Sequence, residues 1–305
     1  MYTLKEIESK GLFYLELASF DEKSKAEICL TQGGRLSNLS FENTKILENF
    51  KYSNYKDNYA SAILFPFANR IKNGRYTFED YKYKLECNET NKNNALHGLV
   101  YNKKFDLIDK ELTLNFASVT LQYKDYGKCK GFPFKFLMEL TYTLSKKGIT
   151  LAIKVKNKGE KTFPFTLGWH PYFYTSDLYK SSIDFKSDKE YVFNKQQIIT
   201  GTTALDLEMP FNLKDVNLDN GYPLENDEID FSTPKYSVNI KSTSKENYLQ
   251  LYTPLQGNTI AIEPMTGAAD NFNNKIGLQT LQPNQTFLVK WIIAIETAVT
   301  KLNTN

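Results

Sequence analysis

The chain has 305 residues, of which 41% are hydrophobic, and its 38 Lys and Arg against 35 Asp and Glu give a formal net charge of +3. These charges are scattered rather than clustered, so the chain lacks a basic face for phosphate backbones, and nucleic acid is not an expected partner. The 20 Tyr and 21 Phe supply large side chains for a sizeable core. The length permits two domains, but large sandwiches often form one unit, and we predict a single domain over residues 1–305.

The ends of the chain and its cysteines indicate its class. Residues 1–8 mix acidic and basic side chains and lack the apolar core of a secretory signal. The apolar run at 291–295 is too short to cross a membrane. Cys29, Cys87 and Cys129 lack the spacing of a metal site or a disulfide framework. We therefore expect a cytoplasmic protein with no membrane partner.

Alternating apolar and polar residues predict strands along most of the chain. Residues 117–123 and 136–144 alternate in this way, and a turn with Lys-Gly leads into a further strand at 149–155, which predicts a hairpin. A closing strand is predicted at 286–295. Helical periodicity is scarce. The pattern therefore predicts an all-β sandwich.

One region differs in composition. Residues 176–245 are richer in Ser, Lys, Asp and Asn than the rest, which leaves a second domain boundary as an alternative. Short strand patterns such as 236–240 recur within it and favour a single domain. The polar tail at 302–305 is expected to fray.

Arg70 lies in the apolar stretch 66–71, where a guanidinium needs an acceptor if it is buried. That acceptor is either a structural carboxylate or the hydroxyls of a ligand, and both remain open on the residues alone. The fixed fork of donors on an arginine suits the adjacent hydroxyls of a sugar.

The chain has only two histidines, and each lies in a short motif. His97 precedes Gly98, which permits the close approach of another backbone or of a ligand; taken alone, His97 is better explained as a structural residue. His170 lies beside Trp169 and Tyr172. Aromatic faces pack on the C–H faces of sugars and also surround histidines in ordinary cores, so a functional and a structural role remain equally open.

Two carboxylates complete the candidate residues. Glu263 ends the apolar run 259–262, where its charge is costly unless something uses it. An ion pair with Arg70 is the structural alternative, whereas an acid and a base together suggest proton-transfer catalysis. Asp219 precedes Asn-Gly, which is ordinary turn chemistry, and by itself it predicts a turn.

Five short motifs follow one another along the chain. They are Asn69-Arg70, Leu96-His97-Gly98, Gly168-Trp169-His170-Pro171-Tyr172-Phe173, Leu218-Asp219 and Ile262-Glu263-Pro264-Met265-Thr266. In these motifs and their order the chain resembles the aldose 1-epimerase family, also called galactose mutarotases. The resemblance extends from Gly33-Gly34-Arg35 to the last strand at Trp291.

The resemblance implies a large antiparallel β-sandwich, the galactose mutarotase-like supersandwich, with a sugar site in an open cleft and with neither a metal nor an organic cofactor. It also implies an isomerase in which Glu263 is the general base and His170 the general acid. The substrate-binding candidates are Asn69, Arg70, His97 and Asp219.

In the implied reaction, the C1 hydroxyl of a sugar loses a proton while the ring oxygen receives one, so the ring opens and then closes as the other anomer. The ordinary pKa values, about 4.3 for Glu and 6.5 for His, already predict an ionised Glu263 and a protonated His170, with burial needed only to adjust both.

The expected partner is a small-molecule sugar, namely a free aldohexose. A mutarotase for an anionic sugar such as a hexose 6-phosphate is an alternative because lysines are plentiful, although only Arg35, Arg70 and Arg75 are available for the clustered arginines that phosphate recognition favours. A non-catalytic carbohydrate-binding protein is a further alternative. Discrimination between sugars is expected to depend on where loops such as 51–58 and 177–189 place their polar groups, so the sequence indicates neither the particular sugar nor the oligomeric state.

Overall fold

The computed structural model describes residues 1–297 and consists almost entirely of β-strands. The predicted fraying of the tail at 302–305 lies outside the described residues. The helical elements of the described chain are α1 (Tyr55–Asn58), a 3₁₀ turn (Leu178–Lys180) and α2 (Asn271–Asn274). This part of the chain has no helix with the length and apolar character needed to span a bilayer.

The strands fall in the following order along the chain. The first fourteen are β1 (Thr3–Ser9), β2 (Leu12–Ala18), β3 (Lys25–Cys29), β4 (Arg35–Phe41), β5 (Thr44–Leu47), β6 (Ile63–Leu64), β7 (Arg70–Lys72), β8 (Arg75–Phe78), β9 (Tyr81–Lys84), β10 (Asn94–Leu96), β11 (Asp106–Leu112), β12 (Phe116–Tyr126), β13 (Lys135–Ser145) and β14 (Gly148–Asn157). The remainder are β15 (Phe163–Phe165), β16 (Gly168–Trp169), β17 (Tyr172–Tyr174), β18 (Ser182–Phe185), β19 (Lys189–Phe193), β20 (Ile199–Ala204), β21 (Phe211–Asn212), β22 (Asp219–Leu224), β23 (Glu228–Ser232), β24 (Tyr236–Ser242), β25 (Asn247–Tyr252), β26 (Thr259–Met265), β27 (Gln279–Leu281) and β28 (Thr286–Thr297).

Two large antiparallel sheets form the sandwich. The first has eleven strands in the order β1-β2-β3-β4-β5-β17-β26-β16-β6, with β25 beside β26 and β22 beside β25. The second has nine strands in the order β11-β12-β13-β14-β28-β24-β23-β18-β21. Four further sheets have two strands each: β7 with β10, β8 with β9, β15 with β27 and β19 with β20. The predicted all-β class and the antiparallel sandwich are confirmed.

The predicted hairpin is confirmed. Strand β13 pairs with β14 from Phe136 opposite Asn157 to Ser145 opposite Gly148, so two lysines form the turn. Gly148 has a φ of +129°, and a Cβ there would lie 2.0 Å from the carbonyl oxygen of Ile293. A glycine is therefore required at the point where the hairpin passes the closing strand.

Aromatic side chains fill the space between the two sheets. Trp169 of the first sheet stacks on Trp291 of the second with 6.4 Å between ring centroids. The Tyr142 hydroxyl donates to the carbonyl oxygen of Gly34 at 2.8 Å, so a tyrosine crosses the core and keeps its polar end paired. Strand β28 alternates between exposed and buried side chains, with Phe287 partly buried, as expected for a strand with one face on the core.

Strand β26 is different, because all seven of its residues are buried. It lies inside the first sheet, with β25 on one side and both β16 and β17 on the other. Residues 176–245 contribute strands to both large sheets. The candidate site is built on this central, buried strand, which carries Glu263.

Candidate active site

The strand register places His170 opposite Glu263. Gly168 of β16 pairs with Met265 of β26, and Tyr172 of β17 pairs with Ala261 of β26. Both short strands follow the same edge of β26 in one continuous register. His170, midway between Gly168 and Tyr172, therefore faces Glu263, midway between Met265 and Ala261. Two residues 93 positions apart in the chain are therefore held together by the backbone of one sheet.

The side chains of this pair are in direct contact. His170 Nε2 lies 3.3 Å from Glu263 Oε1, and the two residues are 5% and 2% exposed. His170 Nδ1 and Glu263 Oε2 are also buried and have no hydrogen-bond partner among the described residues. Buried polar atoms without partners are costly, which identifies these two atoms as candidate contacts for a ligand.

His97 packs against the pair. It follows β10 with a φ of +61°, and its ring centroid lies 5.1 Å from that of His170. Gly98 explains the tight fit, because a Cβ there would lie 2.2 Å from the carbonyl oxygen of Phe65. Of the two close approaches that Gly98 permits, to another backbone or to a ligand, the structure has the first, with the backbone of Phe65. Tyr59 also packs against His97, edge to face, with 4.8 Å between ring centroids.

Arg70 is bound by Glu89. Its Nε lies 3.1 and 3.0 Å from the two carboxylate oxygens of Glu89, and its Nη2 lies 2.9 Å from Oε1. Nη1 donates to Oδ1 of Asn69 at 3.2 Å. The ion pair with Arg70, which was the structural alternative for Glu263, is therefore wrong, because Glu263 faces His170. The structural carboxylate that was one of the two alternatives for Arg70 is present, and it is Glu89.

A chain of side-chain amides connects Arg70 with Asp219. Asn69 Nδ2 donates to Gln250 Oε1 at 3.3 Å, and Gln250 Nε2 donates to Asp219 Oδ1 at 3.0 Å. Asp219 begins β22 and pairs with Tyr252, so the turn predicted from its Asn-Gly sequence is wrong. Pairing with β25 overrides the local preference for a turn.

All six predicted site residues line one open cleft of about 340 Å³. This volume falls in the range of small-molecule sites. The 51–58 loop contributes Ser53, Asp57 and Asn58 to the lining of the cleft, whereas none of residues 177–189 lines it. The prediction for the second loop is wrong, because that segment forms the 3₁₀ turn and strand β18 of the other sheet.

The rings around His170 have separate roles. Tyr172 stacks on His170 with 5.1 Å between centroids, and Phe50 stacks on Tyr172 at 5.3 Å. Both of these rings line the cleft. Trp169 instead faces the core, where it packs on Trp291. Only part of the aromatic motif therefore belongs to the site.

Burial raises the pKa of the buried glutamate and lowers the pKa values of both histidines, so it favours the neutral form of each. The pKa of Glu263 is raised well above its ordinary value, first by burial and then by the negative charge of Asp219. Burial lowers the pKa of His170 to about 4, and the charge of Arg70 acts in the same direction. The pKa of His97 is lowered well below 6.5, chiefly by burial. The expectation that burial only adjusts the ordinary pKa order is wrong, since burial reverses it.

Several residues that line the cleft were not predicted, among them the polar residues Glu89, Lys92 and Gln250. Glu89 lies in a polar stretch with no pattern to distinguish it, and Gln250 is an uncharged residue within a strand. Lys92 reaches the cleft and lies 3.7 Å from Glu89 Oε1. The one available signal was the isolated Arg70, which required a carboxylate somewhere in the chain. Within residues 1–297, no group of three or more His, Cys, Asp or Glu is arranged to hold a metal ion.

Comparison with known proteins gives a consistent result. Residues 18–293 match the family model described as aldose 1-epimerase. An uncharacterized protein, YihR of Escherichia coli K12, is 27% identical over 268 residues, which cover 83% of this chain and 84% of that protein. Galactose mutarotase of Rattus norvegicus is 29% identical over 172 residues, covering 52% of this chain and 48% of the rat protein.

Solved structures share the fold. A galactose mutarotase-like protein from Clostridium acetobutylicum superposes with a TM-score of 0.87 at 22% identity, covering 97% of this chain and 99% of that one. Galactose 1-epimerase from Lactobacillus acidophilus superposes with a TM-score of 0.78 at 15% identity, covering 97% and 99% of the two chains.

Proposed function

The chain belongs to the aldose 1-epimerase family, and from this premise we propose that it is a mutarotase that interconverts the α and β anomers of a free aldohexose. The observation that carries the proposal is the buried contact between Glu263 and His170 in a cleft that is open to solvent. A pyranose places its C1 hydroxyl and its ring oxygen on the same carbon. A base and an acid that serve these two oxygens must therefore lie close together, and a separation of 3.3 Å suits this geometry.

In the proposed reaction, Glu263 accepts the proton of the C1 hydroxyl, whose oxygen becomes the carbonyl oxygen as the bond between C1 and the ring oxygen breaks. His170 donates a proton to the departing ring oxygen, which becomes the C5 hydroxyl. Rotation about the bond between C1 and C2 presents the other face of the aldehyde. The same two groups then return both protons in reverse, so the protein is regenerated unchanged.

The pair needs only one proton between its two members. Burial favours the state in which Glu263 is protonated and His170 is neutral. A sugar hydroxyl that donates to Glu263 stabilises the ionised carboxylate, and the proton then moves to His170 across their contact. Because both states carry no net charge, binding can select the reactive one without taking up a proton from solvent.

The remaining residues would hold the sugar. Arg70 keeps one N–H on each of its two terminal nitrogens after its bonds to Glu89 and Asn69, and two such donors suit neighbouring hydroxyls. The carboxylate of Asp219 can accept from a hydroxyl on the other side of the cleft. The ring of Tyr172 offers a face for the apolar side of the pyranose.

Polarimetry tests the proposal directly. Freshly dissolved α-D-glucose and α-D-galactose should each approach rotational equilibrium faster with the protein than in matched buffer. A protein that never exceeds the buffer rate on either sugar would overturn the proposal. If calorimetry then detects binding of the same sugars, the chain is a carbohydrate-binding protein that has lost turnover.

A further inference from the structure

The two permanent cations that line the cleft, Arg70 and Lys92, share one carboxylate. Arg70 makes three contacts of 2.9 to 3.1 Å with Glu89, and Lys92 Nζ lies 3.7 Å from Glu89 Oε1. The side chains of Arg70 and Glu89 are 12% and 11% exposed, so water screens this pair weakly.

Glu89 is itself fixed in place. Asn94 Nδ2 donates to Glu89 Oε2 at 2.9 Å, and the same nitrogen donates to the carbonyl oxygen of Gln196 at 2.8 Å. The backbones of Glu89 and Asn94 also exchange two hydrogen bonds. Burial raises the pKa of Glu89, but its bonds to Arg70 and the charge of Arg70 more than offset this and lower it, so Glu89 stays ionised near neutral pH.

The other formal charges of the cleft are negative or titratable. Asp57 and Asp219 add carboxylates to its lining, and Glu263 adds a third that is neutral or negative. Among the described residues that line the cleft, no lysine or arginine is free of Glu89. An anionic group that entered the cleft would therefore find both of its permanent cations already paired with the carboxylate of Glu89.

We propose that Glu89 is a specificity-determining residue that disfavours the binding of anionic sugars. Its carboxylate offsets the positive charges of Arg70 and Lys92. It also holds the Arg70 guanidinium in the orientation that donates to sugar hydroxyls. This inference rests on the proposed mutarotase function and deepens it, because it assigns the substrate class as neutral aldoses. Glu89 acts through Arg70, and is therefore a positioning residue and not a catalytic one.

Glu89→Gln tests the inference, because it removes the negative charge with little change in shape. The rates of anomer interconversion would be measured on glucose and on glucose 6-phosphate. The parent protein should prefer glucose by at least about tenfold in kcat/KM, and Glu89→Gln should narrow that preference by about tenfold, an effect that added salt reduces. Glu139→Gln is the matched control, since Glu139 is also paired with a cation, Lys154, but lies on the nine-stranded sheet.

Glu89→Asp separates charge from shape. It keeps the negative charge with a shorter reach, so it should raise KM for glucose while the preference for glucose over glucose 6-phosphate persists. An unchanged preference in Glu89→Gln, or an equal loss on both sugars, would overturn the inference. A parent protein that prefers glucose 6-phosphate would also overturn it.

The failure of the proposed function is distinguishable from the failure of this inference. If the parent protein accelerates neither sugar, the mutarotase proposal fails, and calorimetry with glucose and glucose 6-phosphate still tests Glu89 through the ratio of their affinities. If the parent protein accelerates glucose and Glu89→Gln leaves the ratio unchanged, only the role of Glu89 fails.

Discussion

His170, between β16 and β17, faces Glu263 on the neighbouring strand β26, and Nε2 of the histidine lies 3.3 Å from Oε1 of the glutamate. The sheet itself sets this geometry, because the register of β16 and β17 along β26 leaves the two residues opposite one another. A contact that the backbone holds in this way is preorganised, which suits the proposed exchange of protons with the two oxygens bonded to C1 of the sugar.

The shifted pKa values of His170 and Glu263 predict the pH profile of the reaction. The reactive pair holds one proton, so kcat/KM should fall on the acid side as His170 is protonated, at a pH of about 4. On the alkaline side it should fall only as the last proton leaves Glu263, whose pKa is raised well above 4.5. Between these two limits the rate should stay level. Rates corrected for the spontaneous reaction in each buffer would show this. A decline toward acid that is centred on pH 6.5 instead of about 4 would mean that His170 titrates as an exposed histidine.

Asp219→Asn should move the alkaline limit. The negative charge of Asp219 contributes to the raised pKa of Glu263, so its removal favours the ionised carboxylate and lowers that pKa. The alkaline fall in kcat/KM should shift to lower pH, and KM should rise because an acceptor for hydroxyls is lost. Asp230→Asn is the control, since Asp230 is exposed on the other sheet and bonds Asn239. An unchanged or higher alkaline limit in Asp219→Asn contradicts the assigned coupling.

Gly98→Ala should destabilise the protein more than Gly11→Ala. Both glycines have nearly the same φ, +76° and +74°, so both variants incur the cost of a left-handed alanine, about 1 kcal/mol. Only at Gly98 would the added Cβ meet backbone, 2.2 Å from the carbonyl oxygen of Phe65, whereas nothing lies within 4 Å of it at Gly11. Urea unfolding should show at least about 2 kcal/mol more loss for Gly98→Ala. Equal losses would show that the contact with Phe65 relaxes without cost.

Arg35→Lys should weaken the loop that carries part of the cleft. Arg35 is 1% exposed, and its fork donates to Gln32, to Asn49 Oδ1 at 3.1 Å and to the carbonyl oxygen of Ala60 at 3.2 Å. Asn49 and Ala60 flank the segment whose residues line the cleft. A lysine cannot reproduce the fork.

The free energy of unfolding of Arg35→Lys should fall by about 3 kcal/mol, and KM for the sugar should rise more than kcat falls. The exposed Arg75 provides the control variant Arg75→Lys, which should stay within about 0.5 kcal/mol of the parent protein. If the two variants unfold alike, Arg35 does not fasten this loop.

The sequence could predict what depends on short-range pattern. Alternation identified the long strands of the second sheet, such as β13 and β14, because one face of each strand packs on the core. The motifs around His97, His170 and Glu263 were recognisable because the chain is poor in histidine and because a carboxylate in an apolar run is conspicuous. These residues proved to line one cleft.

The remaining features depend on contacts between distant residues. The pairing of Arg70 with Glu89 has no local signature, and Asp219 lies in a strand only because β25 is available to pair with it. The reversed pKa order of Glu263 and His170 arises from burial, which no residue pattern reports. Tertiary structure decides all three.

Glu263→Gln provides the most direct test of the central claim that Glu263 and His170 exchange protons with the sugar. A carboxamide keeps the shape of the side chain but cannot accept the proton of the C1 hydroxyl, so kcat for fresh α-D-glucose should fall by about 10² to 10⁴, with glucose still bound in calorimetry and with Glu139→Gln unaffected. A Glu263→Gln protein that brings α-D-glucose to rotational equilibrium within threefold of the parent rate would contradict the account.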